Sequence, residues 1–538
     1  MKLLTNPLKA SVRLHLFLLL FSVLCAAQPA PEFPPATLWG ELRPGPYRTG
    51  YKTVFTHDLS RAPITDSADI VPTKHDNPGR QMQINVWYPA KAGAKARPMR
   101  YAEYVQLLSQ TLNFGTPDKQ KGAAIFIKNA SGLGGDTKAL EARLPDLMQM
   151  EVFAIKDAPA AIGRFPLIVF PEYRAPATNS ILCEYLASHG FVVASAMMKG
   201  SFDLDYDTGL TGMETQIQDL QFIIGLLRSW PNVDRERLGL MGVGVAANAC
   251  LGVQMRNPMV DAVVSLDGGI ISPSEDGTLK RTSFFDPTVV RTPILAIYAP
   301  HPSLIPDLLN QYKYSDRYIV HFPKMSEFHF LNYGMLEAFV PGVIGRAPGD
   351  TKTGFEWASR YVLHFLKAQL EAARVSREFL EQSPAANQVP DGVVVASKKP
   401  GLKAPPTLAE LKTMIRRDGI QSVASLFRQL RQDDPQPFNH ERFLALTNWL
   451  TFVADDPGNK MRKELALLRV ESYPQSSRAH FSLAAQAMQA NDHELAKKHF
   501  NEALRLVEGD ADPGLDAATR KRIEQVSRQN LQTLSGKG

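Results

Sequence analysis

Between residues 165 and 322, short and uniformly apolar runs alternate with helical patterns, and this alternation restricts the fold more than any other feature of the chain. Phe165-Pro166-Leu167-Ile168-Val169-Phe170, Phe191-Val192-Val193-Ala194, Leu238-Gly239-Leu240-Met241, Ala262-Val263-Val264-Ser265-Leu266 and Thr292 to Tyr298 read as strands buried on both faces, with Arg317 to Phe322 as the last. Between them, Ile181 to Gly190 reads as a helix stopped by glycine. Met213 to Trp230 reads as an amphipathic helix with Ile217, Leu220, Ile224 and Leu227 on one face, and Ala246 to Met255 as another helix. The pattern predicts an α/β fold, a mostly parallel, doubly wound sheet covered on both faces and closed by a helix near Trp357 to Leu370. Upstream, Ile84, Val86 and Tyr88 alternate with Asn85 and Trp87 before Pro89, which predicts one more strand. Residues 91–162 read as an inserted, helical or irregular excursion and a candidate lid.

A chain of 538 residues exceeds one compact core, so further units are expected. Residues 373–406 carry Pro384, Pro390, Pro400, Pro405, Pro406 and a Lys-Lys pair, a linker composition. From Thr407 to the end, residues 407–538, the pattern is all helical. With Ser477 as position one of a 34-residue unit, Leu483, Ala484, Ala496, Phe500 and Ala503 take tetratricopeptide packing positions, while Ala487 and Glu508 depart from the usual tyrosine and proline. This predicts a tetratricopeptide-like helical tail.

Lys2, Lys9 and Arg13 precede an apolar run from Leu14 to Leu24, with small residues Cys25 and Ala27 before Gln28. Residues 1–27 therefore read as a signal peptide, which predicts export to a periplasm or secretion; a lipoprotein reading of Cys25 meets the bulky Leu24. The apolar run is short for a bilayer crossing, so no transmembrane span is expected. The formal net charge of +6 falls to +3 without residues 1–27, which hold three basic residues and no acid. No basic run with interleaved aromatics exists, which argues against nucleic acid as a partner. Cys183 and Cys250 form no metal-ligand spacing, so no metal and no cofactor are expected, and both read as buried small hydrophobes.

The chemistry concentrates in Asp234 to Ala247, a strand, a tight turn and a helix start, the setting of a G-x-S-x-G nucleophile elbow. Gly242 and Ala246 fill the small positions. Gly244 stands at the centre, where it offers no hydroxyl and adopts positive φ without cost. The chain resembles the platelet-activating-factor acetylhydrolase and dienelactone-hydrolase-like group of α/β-hydrolases. The resemblance rests on Gly45-Pro46-Tyr47, His57-Asp58-Leu59-Ser60-Arg61, Val86-Trp87-Tyr88-Pro89, Leu186-Ala187-Ser188-His189-Gly190-Phe191-Val192-Val193, and Asp219 ahead of Val233-Asp234. It implies an α/β-hydrolase fold over residues 40–372 and a triad of serine, aspartate and histidine. Leu266-Asp267 and His329-Phe330 stand at the second and third places, so the resemblance implies that acid and base are kept and the nucleophile is lost at Gly244. The family's oxyanion turn, which with the residue after the nucleophile (here Val245) supplies N–H donors, is replaced by Pro171-Glu172-Tyr173-Arg174. Proline has no N–H, and Glu172 brings negative charge to a site that has to stabilise it.

Plainer readings stand beside these. Asp267 can brace the Gly268-Gly269 loop, and His329 can be a hydrogen-bonded loop histidine. Asp307 is a second candidate acid. Cys250, Ser201 and Ser265 are other nucleophilic side chains without a motif, and Asp203, Asp205 and Asp207 lack the later ligands of a calcium loop. The expected function is a non-catalytic protein of esterase lineage. A small-molecule or lipid-like ligand would bind in the hydrolase pocket, or a protein or peptide partner on the tail. The alternative is an active ester hydrolase working through an unrecognised nucleophile or a water activated by His329.

Overall fold

The computed structural model describes residues 37–63, 78–91, 96–111, 114–174, 176–201, 207–453, 456, 459–512 and 514–535. The leader read at residues 1–27, and Asp203 and Asp205 of the acidic trio, lie outside the described residues. The chain divides into two compact units, one of residues 1–311 and 316–399, the other of residues 312–315 and 400–538.

A ten-stranded sheet organises the first unit, in the order β10-β9-β8-β7-β6-β4-β5-β2-β1-β3. Its middle is parallel: β4 (Phe165–Val169), β5 (Val192–Ala196), β6 (Val233–Val243), β7 (Ala262–Leu266), β8 (Ile294–Tyr298) and β9 (Arg317–His321). These are the continuous apolar runs of the sequence, and β4, β5 and β7 are buried at every position because helices cover both faces. The register slips between Pro166 and Leu167, where proline has no N–H for the ladder. On one side β1 (Arg48–Asp58) and β2 (Arg80–Ala90) add as an antiparallel pair, and β3 (Ala154–Lys156) runs parallel to β1.

Residues 91–162 pack into this unit. Their helices α1 (Tyr101–Val105), α2 (Lys119–Gly132) and α3 (Thr137–Gln149) bury Tyr101, Tyr104, Phe126, Leu140, Leu144 and Leu147 in the main core. A buried carboxylate holds α1 and the start of β3. Glu184 of α4 (Ser180–Ser188) accepts hydrogen bonds from Trp39 Nε1 at 3.0 Å, Tyr104 Oη at 2.7 Å, Phe153 N at 3.0 Å and Ala154 N at 3.4 Å. Burial pushes its pKa up to about 7 against the pull of those four donors.

The helix read at 213–230 is α5 (Leu210–Leu227), α6 (Val245–Arg256) follows β6, and α7 (Pro273–Lys280) follows β7. Beyond α8 (Tyr333–Leu336), α9 (Thr351–Leu370) is the closing helix. The linker composition of residues 373–406 misleads for most of that stretch. Arg374–Glu381 is helix α10, and Val395–Lys399 is β10, antiparallel to β9. Pro384 and Pro390 shape turns, accepting from Val389 N and Val393 N, while Val389 and Val394 are buried. Cys183 and Cys250 are free and buried.

The second unit is helical: α11 (Leu408–Asp418), α12 (Ile420–Leu430), α13 (His440–Val453), α14 (Lys460–Ser472), α15 (Ser477–Gln489), α16 (His493–Leu506) and α17 (Ala517–Ser535). Leu411, Val423, Phe427, Phe443 and Leu465 share one core cluster. Ala484, Ala487, Ala496 and Phe500 pack together between α15 and α16, where small side chains let the helices approach. Among the described residues, no helix is long and apolar enough to cross a membrane.

Candidate functional site

The turn between β6 and α6 lies at the carboxyl end of the parallel strands, where open α/β sheets place their sites. At Gly242 the returning helix leaves no room for a side chain: an added Cβ would stand 2.5 Å from the Ala246 carbonyl carbon and from Ala247 N. Gly244 has φ +53° and ψ −131°, the strained elbow conformation that glycine adopts freely. Its N–H donates to Leu266 O at 3.0 Å and Asp267 O at 2.9 Å, and its carbonyl accepts from Ala247 N at 3.0 Å. The elbow backbone is complete without a hydroxyl.

Space for a side chain remains. A Cβ at Gly244 would meet Glu327 Oε1 at 3.7 Å and Glu275 Oε2 at 4.0 Å, both ordinary contacts. Two glutamates therefore face the position of the missing side chain. Neither is singled out by the sequence reading; Glu275 lies in the first turn of α7, after β7, and Glu327 opens the helical turn after β9. Glu275 Oε2 accepts from Gly269 N at 2.8 Å, and burial raises its pKa. Desolvation raises that of Glu327, and the Glu275 charge adds to it while His301 and Arg174 oppose it.

Asp267 is buried beside this pair, with φ +45°. Its Oδ1 accepts from Ala299 N at 2.7 Å, which ties the loop after β7 to the end of β8. Burial pushes its pKa up to about 7; the Ala299 N–H lowers it, and Glu327 and Glu275 raise it further. His329 is buried in the turn Glu327–Phe330, where Nδ1 lies 2.6 Å from Ser326 Oγ and Nε2 has no hydrogen-bond partner. Burial lowers its pKa to about 4, so the ring is neutral near pH 7. Among the described residues no hydrogen bond joins Asp267 to His329; each is engaged elsewhere. A triad relay needs that bond to orient the imidazole.

The oxyanion region is closed by its own side chain. The Glu172 carboxylate is buried and accepts from Arg174 N at 2.6 Å and from Thr178 Oγ1, so it caps the turn in which it sits. Burial raises its pKa, and the Arg174 charge and these donors oppose the rise. The Arg174 guanidinium lies 4.9 Å from the Tyr173 ring and 5.7 Å from that of Phe328, linking this turn to the one holding His329. Val245 opens α6, so its N–H is among those with no acceptor inside the helix.

The remaining sequence candidates stand apart. Asp307 is exposed and paired with Lys399 Nζ at 3.1 Å. Ser201 Oγ is 2.6 Å from Thr215 Oγ1, Ser265 is buried inside β7, and burial drives the Cys250 thiol far up. Asp207 caps Gly209 N at 2.7 Å. Among the described residues no group of three or more His, Cys, Asp or Glu side chains is arranged to hold a metal ion.

No family model and no curated protein matches the sequence. Among solved structures, the chain is similar to a ferulic acid esterase from Streptomyces cinnamoneus, with a TM-score of 0.46 and 19% identity, over 68% of this chain and 98% of that one. At that score the likeness carries no argument of its own. The strand order, the elbow turn and the helices around it carry the assignment. The chain has an α/β-hydrolase-type fold. In this hydrolase-type unit the turn after β6 has glycine at its centre, Asp267 accepts from Ala299 N, and His329 Nδ1 lies beside Ser326 Oγ.

Proposed function

We propose that the protein is a non-catalytic member of the esterase lineage, exported by its leader and working by binding rather than by turnover. The observation that carries the reading is Gly244 in elbow geometry, with two glutamate carboxylates where a nucleophile's surroundings should be neutral or positive. The self-capped Glu172 turn and the absent Asp267–His329 bond support it. An alkoxide or oxyanion next to Glu275 and Glu327 would be destabilised by like charge in a desolvated setting. The family resemblance, to platelet-activating-factor acetylhydrolases and dienelactone hydrolases, makes a lipid-like or short-acyl molecule the class of ligand for the hydrolase pocket.

The test is direct. The purified protein is offered activated short-acyl esters and a serine-directed fluorophosphonate, and neither turnover nor labelling is expected. A second reading has one observation in its favour: His329 is neutral with an unpartnered Nε2, the state in which an imidazole activates water. Ester turnover that disappears in His329→Ala would establish that reading and overturn the first. For the helical unit, the tetratricopeptide-like spacing supports a peptide partner. A photo-crosslinking residue at Leu444, exposed on α13, should give discrete protein adducts in the native compartment, and an empty lane counts against a partner there.

A further inference from the structure

The contact between α15 and α16 is closed by small and apolar side chains, Ala484 and Ala487 with Ala496 and Phe500. Two histidines interrupt it. His480 precedes Ala484 by one turn, His499 stands between Ala496 and Ala503, and both rings are buried. Their Nδ1 atoms lie 2.7 Å apart. The ring planes differ by 19° and the centroids are 5.0 Å apart, the span of two imidazoles laid edge to edge along that line, so the two nitrogens point at each other.

At that separation one proton has to lie between them, because two bare lone pairs repel and two N–H groups collide. The far side of His480 decides which ring supplies it. His480 Nε2 is 3.0 Å from Pro474 O, and a carbonyl only accepts, so this nitrogen carries a proton. In the neutral pair His480 Nδ1 is therefore the acceptor, and His499 donates from Nδ1. His499 Nε2 is then a bare lone pair. It makes no hydrogen bond among the described residues and is not one of their buried, unpartnered atoms, so a further proton arrives there. A metal ion, with bonds to nitrogen of about 2 Å on each side, does not fit on the line between the rings.

The proton count sets the behaviour of the pair. One added proton on His499 Nε2 leaves the bond between the Nδ1 atoms standing. A second has to go to His480 Nδ1, which then faces the His499 Nδ1–H with two like charges in a buried contact. That bond is lost, and the rings have to part. Burial lowers the pKa of His499 to about 4; the His480 and Lys498 charges add to this, and Glu502 opposes it. Glu502 acts on both rings but is itself paired with Arg505. Among the described residues no charged group of α14 or α17 acts on His499. An unfolded histidine titrates at about 6.5, so the closed contact holds fewer protons in acid than the opened one. The stability this group contributes is whole above about 6.5 and is lost as pH falls through about 4.

We propose that the His480–His499 pair is a proton-sensitive latch, which joins α15 to α16 at neutral pH and lets them part in acid while α11 and α12 stay closed. It belongs to the helical unit alone, so its test is separate from any test of the elbow.

Hydrogen exchange of the full chain, corrected for the intrinsic pH dependence of exchange, is followed at pH 7 and pH 5. Protection of α15 and α16 is expected to fall about tenfold or more between the two, and that of α11 and α12, which contain no histidine, by less than about threefold. His499→Gln removes the titrating ring and keeps an amide that donates to His480 Nδ1 or, flipped, accepts from it. This variant should match the parent at pH 7 and lose less than about threefold of its protection at pH 5. The proposal is overturned if the two stretches of the parent lose protection equally, or if His499→Gln responds to acid as the parent does. Should His499→Gln fail to fold at pH 7, His480→Gln takes its place; should both fail, the comparison of the two stretches in the parent decides.

Discussion

Glu184 and Asp267 are both buried carboxyl groups pushed up to about 7, yet their surroundings are opposite. Glu184 receives four donors from three stretches of chain and joins Trp39, Tyr104 of α1 and the Phe153–Ala154 backbone to α4. Asp267 receives the Ala299 N–H and faces Glu327 and Glu275. Donors are concentrated where the architecture needs a joint, while at the elbow acid is set beside acid. A buried carboxylate satisfied by several N–H and O–H groups is a structural element. Asp267 is raised chiefly by burial, its acidic neighbours add to the rise, and one N–H opposes it.

The largest expected effect tests the structural side of that contrast. Glu184→Leu leaves the Trp39 indole, the Tyr104 hydroxyl and two amides without an acceptor, and should cost about 3–5 kcal/mol in urea unfolding. A loss below ~1 kcal/mol would mean that the insertion is held by apolar packing alone.

Asp267→Asn comes next, and its effect depends on pH. An unfolded aspartate titrates near 4, roughly, whereas Asp267 in the fold titrates at about 7. The protonated form is therefore the one the fold prefers. The group's contribution is full below the unfolded value and is lost as pH rises through the folded one. Asparagine imitates the protonated form at every pH, so the variant should be more stable than the parent by about 1–2 kcal/mol at pH 8, with the difference closing toward pH 4. A difference that stays constant over this range would show that Asp267 is not under the stress of its acidic neighbours.

Gly244→Ser is smaller in stability but sharp in meaning. The open contacts around the added Cβ leave only the positive φ to disfavour it, about 1–2 kcal/mol. No ester turnover is expected, because the acids and the capped turn stay in place; measurable hydrolysis would show an intact site lacking one atom group. Asp307→Asn should leave the melting temperature within about a degree of the parent, since among the described residues the exposed carboxylate pairs only with Lys399 and Asn310; a larger shift would show that Asp307 is part of the fold's framework.

Much of this was legible in advance because the relevant physics is local. Parallel strands buried on both faces must be continuously apolar, so β4 to β8 stand out as runs, and a strand–turn–helix with small residues is readable wherever it occurs. The edges were not legible. β1 alternates irregularly between buried and exposed positions, β3 spans Ala154–Lys156 only, and β10 looks like linker because prolines flank it and Lys398 and Lys399 are among its paired residues. Edge strands owe their existence to a neighbour, and composition does not record neighbours.

The same division runs through the candidate site. The sequence by itself determined that position 244 has no hydroxyl and that the turn around it can still form, because backbone conformation there depends on glycine and on the small residues beside it. Only the tertiary structure decided what surrounds that turn. Glu275 and Glu327 reach Gly244 from helical turns after different strands, Glu172 accepts from the Arg174 amide two residues on, and Asp267 and His329 each find other partners. Charge and hydrogen-bond satisfaction depend on distances of a few ångströms between residues far apart in the chain, and no local pattern carries that information.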